Sequence, residues 1–321
     1  MRTLFATAIC VSISCVSTLH AQGTWPEKPV RIVVPSPPGG GADAYSRLMA
    51  AALSEALRSQ FVVENRPGGN GNIGAEVAAR AAPDGYTVLI SASPALIMNQ
   101  SIYKSLPYNP ERDFAPVAAG VINPLIFVVH PSVAARTLAE LVALGKSAPG
   151  KLSYGSSGQT SSTSLGVRLI EESSGATFTN IPYKGLAPAI QNLLSGEISF
   201  MFSDVVTVLA QVRAGKISPL AISHRTGLLP KVPTVVEAGF PEAEVHASFM
   251  VAAPAGTPGA IIGRLNSEIN RLMKTPEVAA RLDAMVLVPI FNTPEEFASR
   301  LKGEREKWAA HIRRLGVKAD E

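Results

Sequence analysis

Thiols are almost absent from this sequence. Its two cysteines, Cys10 and Cys15, fall within the first fifteen of 321 residues. The rest of the chain therefore has no disulfide, no thiolate metal site and no cysteine nucleophile. Histidine is scarce as well: His20, His130, His224, His246 and His311 are isolated from one another, and no HExxH occurs, which leaves metal-ligand spacing unfilled. His130 ends a strand-like run before Pro131 and reads as structural, and His311 reads as a surface residue on a charged helix. Charged residues make up only 17%, and no cluster of lysine and arginine interleaves with aromatics. That excludes a nucleic-acid groove. After the first 21 residues no apolar run is long enough to cross a membrane. A chain without disulfides must stabilise itself by burial, and 321 residues of 46% hydrophobic composition are enough for one large domain or two lobes.

The opening segment, MRTLFATAICVSISCVSTLHA, has one early charge (Arg2), an apolar stretch from Leu4 to Val16 and small or polar residues towards Ala21. Residues 1–21 read as a cleavable signal peptide, cut after Ala21, and the remainder as a periplasmic chain. A lipid anchor at Cys15 is the weaker alternative, because the residues before it fit that signal poorly. Removing Arg2 from 29 lysines and arginines leaves 28, against 25 acidic residues. This mild positive balance is compatible with small anionic ligands.

Strand-like runs at Arg31–Val34, Phe61–Glu64, Thr87–Ser91, Ile126–His130, Leu152–Gly155, Thr177–Pro182, Ile198–Phe202 and Pro219–Ser223 alternate with helical patterns. Such alternation predicts an α/β fold with parallel-rich sheets flanked by helices. The stretches Ala118–Pro124 and Ser223–Pro233, rich in glycine and proline, read as crossings between lobes. Near the C-terminus, Thr257 reads as an N-cap with Pro258 at the first helical position and a buried stripe of Ile261, Leu265, Ile269 and Leu272. The last helix starts at Thr293 with Glu296 completing a capping box, and Gly316 ends it.

Two loops carry the chemistry. In RIVVPSPPGGGADAYSR a strand runs through Ser36 and Pro37 into three glycines, and a helix follows with Asp43 at its start. Strand, glycine loop and helix aim backbone N–H groups at an anion. The loop has no P-loop lysine and does not fit G-x-G-x-x-G, so a nucleotide phosphate is not the anion. In YGSSGQTSSTS a second strand ends at a glycine and enters a helix through hydroxyl residues, and Gln159 stands where a G-x-S-x-G nucleophile motif needs glycine. A tight turn and a helix cap are the plain alternatives for the two loops. What favours a site is that both strand ends offer the same donor-rich geometry to one small anion. No nucleophile, acid or base has an evident second group to hold it, so the reading is a binder and not an enzyme.

Six segments together resemble the Bug family, the periplasmic solute-binding receptors of tripartite tricarboxylate transporters. They are WPEKPVRIVVPSPPGGGADAYSR, VVENRPGGNGNIGAEVAARAAPDGYT, LPYNPERDFAPVA, IPYKGLAPAIQNLLSG, LPKVPTVVEAG and APAGTP, in order from Trp25 towards Trp308. The resemblance implies a two-lobed type II periplasmic binding protein, a Venus flytrap, with a first lobe from 23–122 and 225–321 and a second from 123–224. It implies capture of a small di- or tricarboxylate or aromatic carboxylate, delivery to one large and one small integral membrane subunit, no cofactor, and a monomeric receptor. One wall of the cleft would be Ser36, Pro37, Gly39, Gly40 and Asp43, with Asn72, Ser91 and Ser93 nearby. The other would be Ser156, Ser157, Gly158, Thr160 and Ser161, with Tyr183, Lys184, Gly185, Ala187, Ser203 and Asp204 lining the rest. The sequence departs from the family pattern at Ser36, where phenylalanine is usual, at Ser164, often histidine, and at Ser203–Val206, commonly Asp-Asn-Leu-Pro. A receptor that signals to a membrane sensor kinase would share the same cleft. A secreted enzyme acting on a carboxylate would need a titratable pair such as Asp43 with Lys184.

Overall fold

The computed structural model describes residues 25–245 and 247–318. Residues 1–21, read from the sequence as a signal peptide and containing both cysteines, and His246 lie outside the described residues. Among the described residues, eleven strands form two sheets. The first contains β1 (Val30–Val34), β2 (Phe61–Asn65), β3 (Thr87–Ala92), β4 (Phe114–Asn123), β10 (Ala247–Pro254) and β11 (Val288–Pro289), in the order β11-β4-β10-β3-β1-β2. The second contains β5 (Leu125–Val129), β6 (Ser153–Ser156), β7 (Thr179–Pro182), β8 (Phe200–Asp204) and β9 (Ser218–Ile222), in the order β7-β6-β8-β5-β9. Runs such as VRIVV are buried because helices cover both faces of a sheet. Those helices are α1 (Gly41–Leu57), α2 (Asn72–Ala79), α3 (Asn99–Ile102), α4 (Leu138–Ser147), α5 (Ser162–Ser174), α6 (Leu186–Ser195), α7 (Val205–Arg213), α8 (Gly259–Leu272), α9 (Pro276–Ala284) and α10 (Pro294–Leu315).

Strand direction decides where a site can form. β1 runs parallel to β2 and β3, and β10 is antiparallel to both β3 and β4, so β4 ends on the same edge as β1, β2 and β3. In the second sheet β6 is parallel to β7 and β8, and β5 is antiparallel to β8. The start of β5 therefore lies at the carboxyl ends of β6, β7 and β8. Only Pro124 separates β4 from β5, so the carboxyl edges of both sheets meet at that crossing. Ligands of open α/β sheets bind outside this edge.

All eight expected strands form, but β4, β10 and β11 were not expected. The sequence reading takes Ala118–Pro124 as a crossing, because alanine and Gly120 weaken the strand signal of the second half of β4. Its place between β10 and β11 overrides that composition. At Gly120 (φ 65°) an added Cβ would sit 2.0 Å from the Phe249 carbonyl oxygen, so only glycine fits there. Residues beyond 224 also pack against the second sheet. Ile222 and Thr234 form a parallel bridge, the Val235 N–H donates to the Ile222 carbonyl, and Val232 packs into a second-sheet cluster. The chain returns to the first sheet only at β10.

α10 has the expected capping box, with the Thr293 side chain accepting from the Glu296 N–H and Gly316 in the left-handed region at its end. α8 starts one residue later than expected: Pro258 is its N-cap, while the Thr257 hydroxyl donates to the Pro254 carbonyl. In its stripe Ile262 is buried and Ile261 only half-buried.

Candidate functional site

The first wall is built around Asp43. Its Oδ2 accepts from the Gly39 N–H (2.9 Å) and from Arg47 Nε (3.0 Å), and its Oδ1 accepts from Asn65 Nδ2 (2.9 Å). The same Asn65 amide donates to the Ser36 carbonyl at 3.1 Å. Burial works against the Asp43 charge, but these donors outweigh it and hold the carboxyl below the usual range. Asp43 is thus spent on shaping the loop, with Gly39 at φ 85° and Gly40 extended. Gly40 is the N-cap of α1 and no side chain caps that helix. The first N–H groups of α1 have no intrahelical acceptor, and they open onto exposed Pro37–Gly40. Gly41 lets the helix start against Phe249, whose ring lies 3.0 Å from where a Cβ would be.

Asn72, Ser91 and Ser93 lie at the same edge, but their side chains are committed to the frame. Asn72 Oδ1 accepts from Asn99 Nδ2 (2.6 Å) and the Tyr108 hydroxyl (3.0 Å). Ser93 Oγ accepts from the Ser248 N–H at 3.0 Å, tying β3 to β10 just before the π-helical turn Pro94–Met98. Ser91 donates to the neighbouring Ala92 carbonyl.

The second wall is a hydroxyl mesh. Ser161 caps α5, accepting from the Ser164 N–H, and donates to the Gly158 carbonyl at 2.7 Å. Thr163 Oγ1 accepts from the Ser157 N–H (3.1 Å) and lies 3.2 Å from Ser157 Oγ and 2.8 Å from Ser161 Oγ. Ser156 donates to Asn180 Oδ1 at 2.9 Å. Ser157 is exposed, and Gly158 and Thr160 are half-buried at the rim. Along the same edge α6 starts at Gly185 (φ 96°) with no side-chain cap, and Lys184 and Ala187 beside it are exposed. The Tyr183 hydroxyl accepts from Asn192 Nδ2 at 2.8 Å and is thereby tied to α6. Helices α5, α6 and α7 thus all present N-termini at the edge facing α1.

The floor between the walls holds a residue that sequence reasoning missed. Asn123 ends β4, is 2% exposed, and hydrogen-bonds through its side chain to Asp204 at the end of β8. Its Nδ2 lies 4.0 Å from where a Cβ on Gly41 would stand, so it touches the start of α1 as well. Asn directly before a proline at a strand end was the available signal, obscured because VINP was read as a loop. Burial pushes the Asp204 carboxyl up to about 6, offset in part by the Asn123 hydrogen bond. Ser203 is fully buried, and its hydroxyl reaches only the Asp204 carbonyl at 3.5 Å. Among the described residues no cluster of His, Cys, Asp or Glu is arranged to hold a metal, and no helix is long and apolar enough to cross a membrane.

Two sheets meeting at their carboxyl edges, with helix N-termini on both sides, define a two-lobed periplasmic binding protein. The chain belongs to the tripartite tricarboxylate transporter receptor family, TctC, whose model matches residues 45–317. Protein BugT of Bordetella pertussis is 34% identical over 320 residues, covering 99% of this chain and 98% of that one. Among solved structures, Rhodopseudomonas palustris Rpa4515 with adipate superposes with a TM-score of 0.83 at 31% identity, covering 92% of this chain and 99% of that chain. MatC (Rpa3494) from the same organism, with bound malate, superposes with a TM-score of 0.79 at 28% identity, covering 90% and 100%. The protein is a solute-binding receptor of this family, whose members are periplasmic binding proteins.

Proposed function

We propose that the protein captures a small carboxylate between the α1 loop and the N-termini of α5, α6 and α7, and delivers it to the large and small membrane subunits of a tripartite transporter. The observation that carries this reading is the side-chain-free start of α1 at Gly40, aimed across the crossing at three further helix starts. Backbone N–H groups at helix starts stabilise a carboxylate without a full counter-charge. The adipate and malate held by two structurally similar proteins support the ligand class. The lobes turn about the crossings at Asn123–Pro124 and the start of β10, and the ligand favours the closed form by its extra contacts there. The membrane subunits then take the closed monomer.

Lys184 is the one cation among the candidate residues, and it is exposed. Lys184→Met is expected to weaken binding of malate or adipate by about tenfold or less, as for a screened charge contact. The double variant Ser157→Ala with Thr160→Val is expected to cost more, because the rim loses donors and the Ser157–Thr163 contact. Calorimetric titration of both variants with the same carboxylate ranks them. A larger loss from Lys184→Met would replace the backbone cradle by a salt bridge.

Export through a cleaved leader ending at Ala21 completes the reading, with Cys15 acylation as its rival. Intact-mass measurement of the exported protein is expected to show a chain beginning after Ala21. A retained leader or a lipid on Cys15 would overturn it.

A further inference from the structure

A cleft lined by helix N-termini favours anions, yet Asp204 places a carboxylate at its floor. Asp204 is the N-cap of α7 but makes no capping hydrogen bond to its own helix, forgoing the stabilisation an aspartate cap normally supplies. Its side chain turns instead to Asn123, which hydrogen-bonds to it, and among the described residues no charged side chain pairs with it. A carboxylate only accepts, so Asn123 must present Nδ2 to it. Asn123 Oδ1 is left buried without a partner, and Ser36 Oγ on the first wall is likewise unpartnered. Each such group is destabilising until a partner arrives. Asp204 itself keeps partial contact with solvent, so an incoming group can reach it. An ionised ligand would be repelled by this floor unless it brought a donor to meet the acceptor.

We propose that Asp204, oriented by Asn123, is an acceptor subsite that selects carboxylates bearing a second group able to donate, a hydroxyl or an ammonium. This rests on the carboxylate-receptor reading and deepens it. Plain dicarboxylates satisfy the helix N-termini but leave Asp204 facing them. A hydroxyl supplies one donor, and an ammonium supplies donors and the missing positive charge. Asp204 touches the ligand; Asn123 positions it.

The test uses matched probes on the whole protein: succinate, malate and aspartate, then glutarate, 2-hydroxyglutarate and glutamate, with both enantiomers where they exist, and adipate. Titration calorimetry at pH 7.5 is expected to give malate or aspartate, or their five-carbon counterparts, at least about tenfold tighter than the plain diacid, about 1.4 kcal/mol. Hydroxyl against ammonium preference identifies the donor. In Asp204→Asn and in Asn123→Ala the ratio between the donor-bearing acid and the plain diacid should shrink to about threefold or less. Two variants guard against a folding defect in one, and thermal melts check each. If succinate or adipate binds the wild type as tightly as the donor-bearing acids, the subsite is refuted and the carboxylate receptor stands. A preference that survives both variants also refutes the assignment. Failure of every carboxylate to bind would overturn the receptor reading and this inference together.

Discussion

Gly40→Val is expected to leave the ligand-free protein folded and to reduce carboxylate binding by about 100-fold or more, the loss of two good hydrogen bonds. Gly40 has φ −82° and ψ 170°, extended backbone that valine adopts readily, and its nearest foreign atom would be the Pro37 carbonyl oxygen, 3.8 Å from a new Cβ. The fold therefore meets no clash, and stability should change by no more than about 1 kcal/mol, the difference between glycine and a poor N-cap. The branched side chain instead fills the space in front of the first N–H groups of α1. Gly39→Val is the instructive contrast. Its Cβ would also be in open space, but φ 85° is left-handed, so strain of about 1–3 kcal/mol should appear in the melting curve. Calorimetric titration with malate and adipate, alongside denaturation of each variant, separates the two effects. Retained affinity in folded Gly40→Val would reduce the loop to a turn.

Asp204→Asn is expected to stabilise the ligand-free protein at pH 7.5 and to flatten its pH dependence between about 4 and 6. The carboxyl is raised from 3.8 to about 6 in the folded state. Between these values the native chain holds a proton that the unfolded chain has released. Stability from this group is therefore fully present below about 4 and is lost as the pH rises through about 6, a difference of roughly 2–3 kcal/mol. Asparagine keeps the acceptor for Asn123 and removes the desolvated charge, so a gain of about 1–2 kcal/mol at pH 7.5 is expected. Asp43 works in the opposite sense: its carboxyl is lowered, so its contribution is present above the ordinary range and lost as the pH falls through its folded value. Urea denaturation of wild type and Asp204→Asn at pH 4.5 and 7.5 isolates the Asp204 part. An unchanged wild-type-to-variant difference at the two pH values would show that the floor carboxylate is well solvated.

The alternating strands and both donor loops were legible because their signals are local. VRIVV before a triple glycine needs no tertiary knowledge, nor does a Thr-Pro-Glu-Glu start to α10. β4 and β10 were not legible: an alanine-rich strand with Gly120 at positive φ becomes a strand only when β10 and β11 flank it. The site divides in the same way. Ser161 as a cap follows from the sequence, whereas Asn123 meets Asp204 only because β4 and β8 end at one crossing. Asp43 shows the limit from the other side. The family resemblance places it on the cleft wall, and in the fold its carboxylate is hydrogen-bonded to Gly39, Arg47 and Asn65.

The last helix has a consequence for how specificity can be exchanged between relatives. The core that contains Leu89 and Met250 of the first sheet also contains Phe127, Phe200 and Phe202 of the second, together with Trp308 and Ile312 of α10. At its end Arg168 of α5 donates to the Leu315 carbonyl at 2.7 Å, and Arg314 pairs with Glu172. A chimaera that takes only the span from β5 to β9 from another receptor would graft a new lobe onto a foreign buttress. The exchangeable cassette is discontinuous: it runs from the first crossing to the start of β10 and includes the final turns of α10.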